Sequence, residues 1–248
     1  MSTSRFTNGF TQNSSFQPFG QMGIPDPVWM MQDSDDMFNV AMATGYTVSA
    51  TGNGAVTKQN AAGGVVLFTT NTSTPLATDY VSIQRPNGNF QLSSSAKTAF
   101  VARISLADIV NPSVDIGLID VTSTPFSDIT DGIYLSTVSG SSTWSLIARS
   151  GNSTVGSAAL NFTPVANTFF DIGFLYTPEF GNVIAFAGSN LVGNKSGGQE
   201  DRALLGPVAR ITPTALTSAL LSPTISIQSG TATSKTMQLD FWSCATER

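Results

Sequence analysis

Apolar and small polar residues alternate along most of this chain in short runs, with turn residues between them. The clearest run is AFVARISL, where Phe100, Ala102, Ile104 and Leu106 alternate with Val101, Arg103 and Ser105. A period of two places the first set on one face of a strand. GYTVSAT, GGVVLFTT, DYVSIQ and, after the turn RPNG, NFQLSS precede it in the same style. VDIGLIDV, GIYLSTV, TWSLIARS, TISIQS and MQLDFWSCA follow. The stretch DIGFLYTPEFGNVIAFA predicts a hairpin. Ile172, Phe174 and Tyr176 share one strand face, Ile184 and Phe186 share a face of the returning strand, and TPEFGN supplies the turn. Helix is expected only as a turn or two, at SLADIVNP and at LTSALL, the latter hemmed in by Pro213 and Pro223. About a dozen strands with turns between them predict an all-β antiparallel sandwich without an internal repeat.

Residues 1 to 35 break the pattern. Phe6, Phe10, Phe16, Phe19 and Trp29 sit among Asn, Gln, Gly and Pro without a sustained period, and Pro25 and Pro27 force extended backbone. This segment reads as an extended N-terminal arm, with the sandwich spanning 36–248. Its aromatic rings need a partner surface, either its own domain or another subunit.

The chain has 248 residues, enough to bury a core without disulfides or metals. Charged residues make up 11%, which disfavours exposed helices, and hydrophobic residues make up 41%, too many for a disordered chain. A net charge of −5 leaves no basic footprint for nucleic acid. No apolar run is long enough to span a bilayer, and MSTSRFTNGF lacks a signal-peptide layout. The single Cys244 fits a reducing compartment and reads as a small buried hydrophobe.

The chemistry left to such a chain is narrow. Without histidine there is no Ser-His-Asp triad and no Cys-His pair, and zinc or iron would find only carboxylates. GSNLVGNKS has neither the spacing nor the setting of a phosphate loop. A paired-carboxylate hydrolase would need two acids across one cleft. Asp171, opening a strand, and Glu179, in the turn after it, form the best available pair and are placed toward the same end. Calcium could use DSDD at 33–36 or the loop carrying Asp128 and Asp131, although the first lacks a calcium-loop spacing. A glycan site would want exposed aromatic rings. Trp144 alternates with Leu146 and Ala148 as a core residue does, whereas Trp242 shares a strand face with Asp240 and is expected to be partly exposed.

The order of these runs carries a resemblance. VARISLADIVNPSVDIGLID, DGIYLS, TWSLIARS, the hairpin from NTFFDIGFLYTP to NVIAFAG, and the closing MQLDFWSCATER follow one another as in concanavalin-like jelly-roll proteins of tailed-bacteriophage virions. RFTNGFTQN, PDP and DDMF leading into GYTVSATG resemble the start of those proteins, so the likeness covers nearly the whole chain. It implies a concanavalin-like jelly roll and a head decoration or cement protein, made in the host cytoplasm and bound to the major capsid protein on the virion surface. It also implies a homo-oligomer, a trimer suiting a capsid three-fold, with no cofactor, metal, nucleic acid or membrane partner. Phe6, Phe10, Phe16, Phe19 and Trp29 of the arm would then contact the capsid or a neighbouring subunit. The same fold serves lectins and glycan hydrolases. Its hydrolases carry a strand of the form ExDxxE, a string absent here. A non-enzymatic role is therefore expected, with a glycan-binding module assisting host attachment as the alternative.

Overall fold

The computed structural model describes residues 30–37, 45–59, 64–92, 94–121, 125–189 and 206–247. In chain order its strands begin with β1 (Met30–Asp35), β2 (Thr47–Ala50), β3 (Ala55–Gln59), β4 (Val65–Thr69) and β5 (Tyr80–Gln84). Next come β6 (Phe90–Gln91), β7 (Thr98–Leu106), β8 (Ser113–Asp120), β9 (Gly132–Thr137) and β10 (Trp144–Ser150). The rest are β11 (Ser153–Ala159), β12 (Phe170–Thr177), β13 (Asn182–Ser189), β14 (Gly206–Ile211), β15 (Leu220–Gln228) and β16 (Thr236–Glu247). Neither stretch expected to turn helical does so. In the first, the Asp108 carboxylate accepts the N–H groups of Val110 and Asn111, giving the backbone a turn instead.

The strands form two antiparallel sheets packed as a sandwich. Sheet one runs β14-β13-β12-β7-β16-β4-β3, with β1 also on β16. Sheet two runs β11-β10-β9-β8-β15-β5-β2, with β6 also on β15. β16 is long enough to need several neighbours. One edge pairs with β7, while the other pairs with β4 over Thr236–Leu239 and with β1 over Trp242–Glu247. Residues 30–35 thus belong to the sandwich, although the sequence pattern leaves them in the arm. MMQDSD has no alternation, and it becomes a strand because β16 runs on past β4 with an open edge.

The core lies between the inner faces. Phe100, Ala102, Ile104 and Leu106 point inward as expected and share the core with Val114, Ile116 and Leu118 of sheet two. Phe100 stacks on Phe174 at 5.8 Å, and Trp144 meets Phe170 edge-on at 6.0 Å. Each such ring or branched side chain contributes roughly 1.5–3 kcal/mol on burial. Ile172, Phe174 and Tyr176 share the core face. Ile184 and Phe186 also share a face, but it is the outer one, because Val183, Ala185 and Ala187 of the same strand point inward.

The connections fall at two ends. The hairpin end carries the 178–181 tip, the 85–89 and 151–152 turns, the 212–219 connection and the entry to β1. The loop end carries the connections 70–79, 107–112, 138–143, 160–169 and 229–235.

Candidate functional surfaces

At the β12–β13 tip, one turn of 3-10 helix over Pro178–Phe180 closes on Gly181, whose left-handed φ of 58° lets its N–H reach the Pro178 carbonyl at 3.1 Å. Glu179 is exposed there and pairs with Lys97 at 3.2 Å. Asp171 belongs to the opposite end of the same strand, roughly 20 Å away at the rise of an extended chain. The expectation that the two acids lie toward one end is therefore corrected: a strand's first residue and the turn that follows it lie at opposite ends. Asp171 instead faces Arg103 (4.0 Å) on the outer side of sheet one, and Arg103 also lies 3.4 Å from Asp240. Burial pushes the Asp171 carboxyl up to about 6, with Arg103 opposing and Asp240 adding to the rise.

The DSDD segment is mostly strand. Arg85 grips the Asp33 carboxylate through Nε (3.0 Å) and Nη2 (3.1 Å) and donates from Nη1 to the Gly45 carbonyl at 2.9 Å. Its guanidinium lies 4.5 Å from the Tyr46 ring and 5.3 Å from that of Trp242. Tyr46 donates to Asp35 (2.9 Å) and accepts from the Trp242 indole N–H (2.8 Å). Burial, and then the Asp35 charge, push the tyrosine hydroxyl far above its ordinary range, so it stays protonated. This chain of bonds ties β1 and β16 of sheet one to the turn that follows β5 of sheet two, holding the two sheets together at the hairpin end.

The loop with Asp128 and Asp131 is also internally committed. Asp120 accepts the N–H groups of Thr130 (3.2 Å) and Asp131 (3.1 Å). Asp131 accepts from Gly151 N–H at 3.0 Å and from the Thr217 hydroxyl. Burial pushes the Asp131 carboxyl up, but the hydrogen bonds from Thr217, Gly151 and Thr130 outweigh it and hold the group below its ordinary value. Asp128 accepts from the neighbouring Ser127 hydroxyl at 2.9 Å. Among the described residues no group of three acids or thiols is placed to hold a metal ion.

Trp144 is buried in the core as expected. Trp242 is buried too, which corrects its expected exposure. A bulge between Leu239 and Phe241 inserts Asp240 as an extra residue, so the alternation breaks and Asp240 and Trp242 face opposite sides. Cys244 is buried, and burial pushes its thiol well above the ordinary value. Phe6, Phe10, Phe16, Phe19 and Trp29 lie outside the described residues.

Two surfaces emerge that the motif reading passed over. The first is the outer face of sheet two, where the register aligns Ser49, Ser82, Ser226, Asp115, Ser136, Ser145 and Ala159 in one row. Burial pushes the Asp115 carboxyl up to about 7 against the hydrogen bond from Ser136 and the charge of Arg149. Arg149 donates to Asn152 through Nη2, while its buried Nε lacks a hydrogen-bond partner. Tyr134 is pushed up to about 12, by burial first and then by Asp115. Ser82, Ser226, Asp115 and Ser136 are only 2%, 0%, 4% and 8% exposed, and along the row Asp115 is the sole acid, so the two-carboxylate geometry of a glycosidase does not arise there. The signal was legible in VDIGLID, where Asp115, Gly117 and Ile119 alternate with the core residues Val114, Ile116 and Leu118.

The second is the loop end. Leu76, Val110, Val138 and Val165 stand there with relative exposures of 59%, 41%, 62% and 60%. They ride on connections that are braced to one another. Gly140 N–H donates to Val110 O (3.0 Å), the Ser139 hydroxyl to Gly230 O (3.0 Å), and Gly230 N–H to Ala77 O (2.8 Å). Asn167 N–H donates to Leu106 O at 2.7 Å, and Lys235 pairs with Asp108 at 2.8 Å. Exposed apolar groups on ordered backbone form a surface suited to docking.

No family model and no curated protein matches the chain. Solved structures do match in fold. Arcelin-5, a lectin-like defence protein from Phaseolus vulgaris, is 11% identical with a TM-score of 0.60, over 88% of this chain and 98% of its own. A protein of unknown function from Shewanella oneidensis MR-1 is 12% identical with a TM-score of 0.59, over 88% and 87%. An endo-1,3-beta-glucanase from Streptomyces sioyaensis is 12% identical with a TM-score of 0.55, over 89% and 98%. The chain therefore has a lectin-type, concanavalin-like jelly-roll fold, and identities this low speak for the fold alone.

Proposed function

We propose that this protein is a non-catalytic structural component of a tailed-phage virion, a head decoration protein bound to the major capsid protein on the outside of the shell. The observation that carries the reading is the braced loop end with Leu76, Val110, Val138 and Val165 exposed. Rigid loops lose little entropy on docking, so their apolar area converts efficiently into binding. The jelly-roll layout and the commitment of Asp33, Asp35, Asp120 and Asp131 to partners within the fold support it. A closed homo-oligomer, a trimer on a capsid three-fold, suits such a role. Co-sedimentation with undecorated capsids tests it. The full chain pellets with the shells, and a Leu76→Asp, Val138→Asp, Val165→Asp variant of unchanged melting temperature stays in the supernatant. Equal pelleting of the two, or failure of the parent to pellet, sinks the reading.

The polar outer face of sheet two favours a second reading, a glycan-binding module of the virion. Arg149, half-buried there, offers a sugar a charged group, while Asp115, Ser136 and Tyr134 beside it are buried and the described tryptophans, Trp144 and Trp242, are both in the core. A glycan array probed with the full chain decides it. Binding that Arg149→Ala abolishes supports the reading, and silence across host surface glycans removes it.

A further inference from the structure

The chain contains the pairs Asn8-Gly9, Asn53-Gly54 and Asn87-Gly88. The first lies outside the described residues, and the fold treats the other two in opposite ways. Asn53-Gly54, in the turn between β2 and β3, is locked. The Asn53 amide donates to the hydroxyls of Thr72 (2.9 Å) and Ser73 (2.8 Å), and its Oδ1 accepts from the Thr72 N–H at 2.7 Å. The Gly54 N–H is committed to the Thr51 carbonyl at 3.0 Å. Asn87-Gly88, in the 85–89 turn, is held by none of this. The Asn87 side chain is exposed, and neither it nor the Gly88 N–H makes a hydrogen bond among the described residues.

The fold builds this second pair in. β5 and β6 both pair with β15, and residues 84–90 pass beside only 221–224, so the excess chain loops outward. Both feet of the loop are pinned. Arg85 N–H donates to the Pro223 carbonyl at 3.1 Å, Asn89 N–H to the Leu221 carbonyl at 3.0 Å, and the Ser222 hydroxyl to the Arg85 carbonyl at 2.6 Å. Asn87 holds a left-handed φ of 69°, which asparagine accepts more readily than most residues. A Cβ at position 88 would come within 2.7 Å of Leu220, so the close approach to β15 demands glycine there. A flip of the peptide plane between the two residues changes only ψ of Asn87 and φ of Gly88, and glycine accepts either sign. The Gly88 nitrogen can therefore turn to face Asn87 Cγ while β5 and β6 stay on β15.

We propose that Asn87 is a site of spontaneous deamidation and isoaspartate formation, with water as the only co-reactant. The Gly88 nitrogen bonds to Asn87 Cγ, and its proton leaves with the Nδ2 amino group as ammonia, which closes a succinimide ring. Water then opens the ring in one of two ways. Cleavage between the Gly88 nitrogen and Cγ leaves an aspartyl residue at 87, and cleavage between that nitrogen and the main-chain carbonyl carbon leaves an isoaspartyl one. The second product routes the backbone through Cβ and Cγ, adding a methylene between two pinned feet. Arg85 is one of those feet, so the strain falls on the residue that grips Asp33 across the sheets. The turn thus ages the contact that joins the two sheets. The inference stands independently of the decoration reading.

Ageing the full chain at mildly alkaline pH tests it. Samples are digested for mass spectrometry and probed with an isoaspartyl methyltransferase and labelled S-adenosylmethionine. The peptide holding Asn87 gains the amide-to-acid mass shift and the methyl label several-fold sooner than the peptide holding Asn53. Conversion at Asn53 as fast as at Asn87, or an inert Asn87 while a synthetic peptide of the same turn sequence converts, overturns the proposal. The melting temperature of the aged protein falls in step with its isoaspartyl fraction at 87. Asn87→Gly, which keeps the left-handed backbone open and has no amide to lose, holds its melting temperature through the same incubation. An equal fall in that variant overturns the link to the contact between the sheets.

Discussion

The central rows on the outer faces of the two sheets start from the same geometry and differ in chemistry. Sheet one also turns out Arg103 and Asp171, and sheet two a small cluster of Ile119, Tyr134 and Ile147. Sheet two presents Ser82, Ser226, Asp115 and Ser136 across its centre, and sheet one presents Ala245, Ala99, Leu175 and Ile184. Both rows are dictated by a two-residue period, so the difference comes from what each face meets rather than from how the strands are made. The polar row is closed as well, with Ser226, Ser82 and Asp115 at 0%, 2% and 4% exposure, and it answers its own polar groups, as where the Ser226 hydroxyl donates to the Asp115 carbonyl at 3.0 Å. An apolar row must meet more protein, or the folded state loses the burial that stabilises it.

The largest effect should come from swapping the chemistry of the faces. Leu175→Asp places an unpaired carboxylate on a dry surface and should cost about 3–5 kcal/mol, leaving the protein insoluble or unfolded. Ser145→Asp, on a half-buried position of the sheet-two row, should cost under about 1 kcal/mol. Urea unfolding of both variants checks the contrast, and equal losses would break it.

Next comes the contact that joins the two sheets. Asp33→Ala leaves the Arg85 guanidinium without its two-point partner and should lower stability by about 1.5–3 kcal/mol, read as a shift in the urea midpoint.

The acids on the two faces sharpen the comparison through pH. Asp115 holds its proton in the folded state up to about 7, whereas an ordinary carboxyl at 3.8 has released it in the unfolded chain. Between those values the folded state binds more protons, so this group's contribution weakens as pH rises, by up to about 1.4 kcal/mol per unit, and is flat above 7. Asp115→Asn removes that slope. Asp171, pushed up to about 6 and less buried, gives the same sign over a narrower window, so Asp171→Asn should flatten the profile less. Melting temperatures of the three proteins across the window test the order.

The smallest effect belongs to Glu179→Gln at the exposed tip. Losing its pair with Lys97 should change stability by under about 0.5 kcal/mol in a thermal melt.

Strands with a clean period of two were legible from sequence, and their inward residues with them: Phe100 to Leu106 in β7 and Ile172 to Tyr176 in β12. Three things were not. β1 has no period of its own and exists because β16 outruns β4. The reversal at Trp242 depends on one inserted residue, invisible to a pattern that counts by twos. In β13, Val183, Ala185 and Ala187 alternate with Ile184 and Phe186, apolar against apolar, so the pattern shows that both faces are covered without showing which is the core. For the surfaces, Asp115 could be read as outward in VDIGLID, but that Leu76, Val110, Val138 and Val165 share one end follows only from the topology of four connections far apart in sequence.

β16 also sets a timetable. It lies between β7 on one side and β4 and β1 on the other, so the two halves of sheet one have no common neighbour until residues 236–247 exist. A ribosome must release every residue from β1 to the end of β16 before that sheet can close, and until then β7 and β4 present open edges to every other nascent copy. Synthesis in crowded quarters therefore favours a late, rapid closure, and the final dozen described residues act as the bolt.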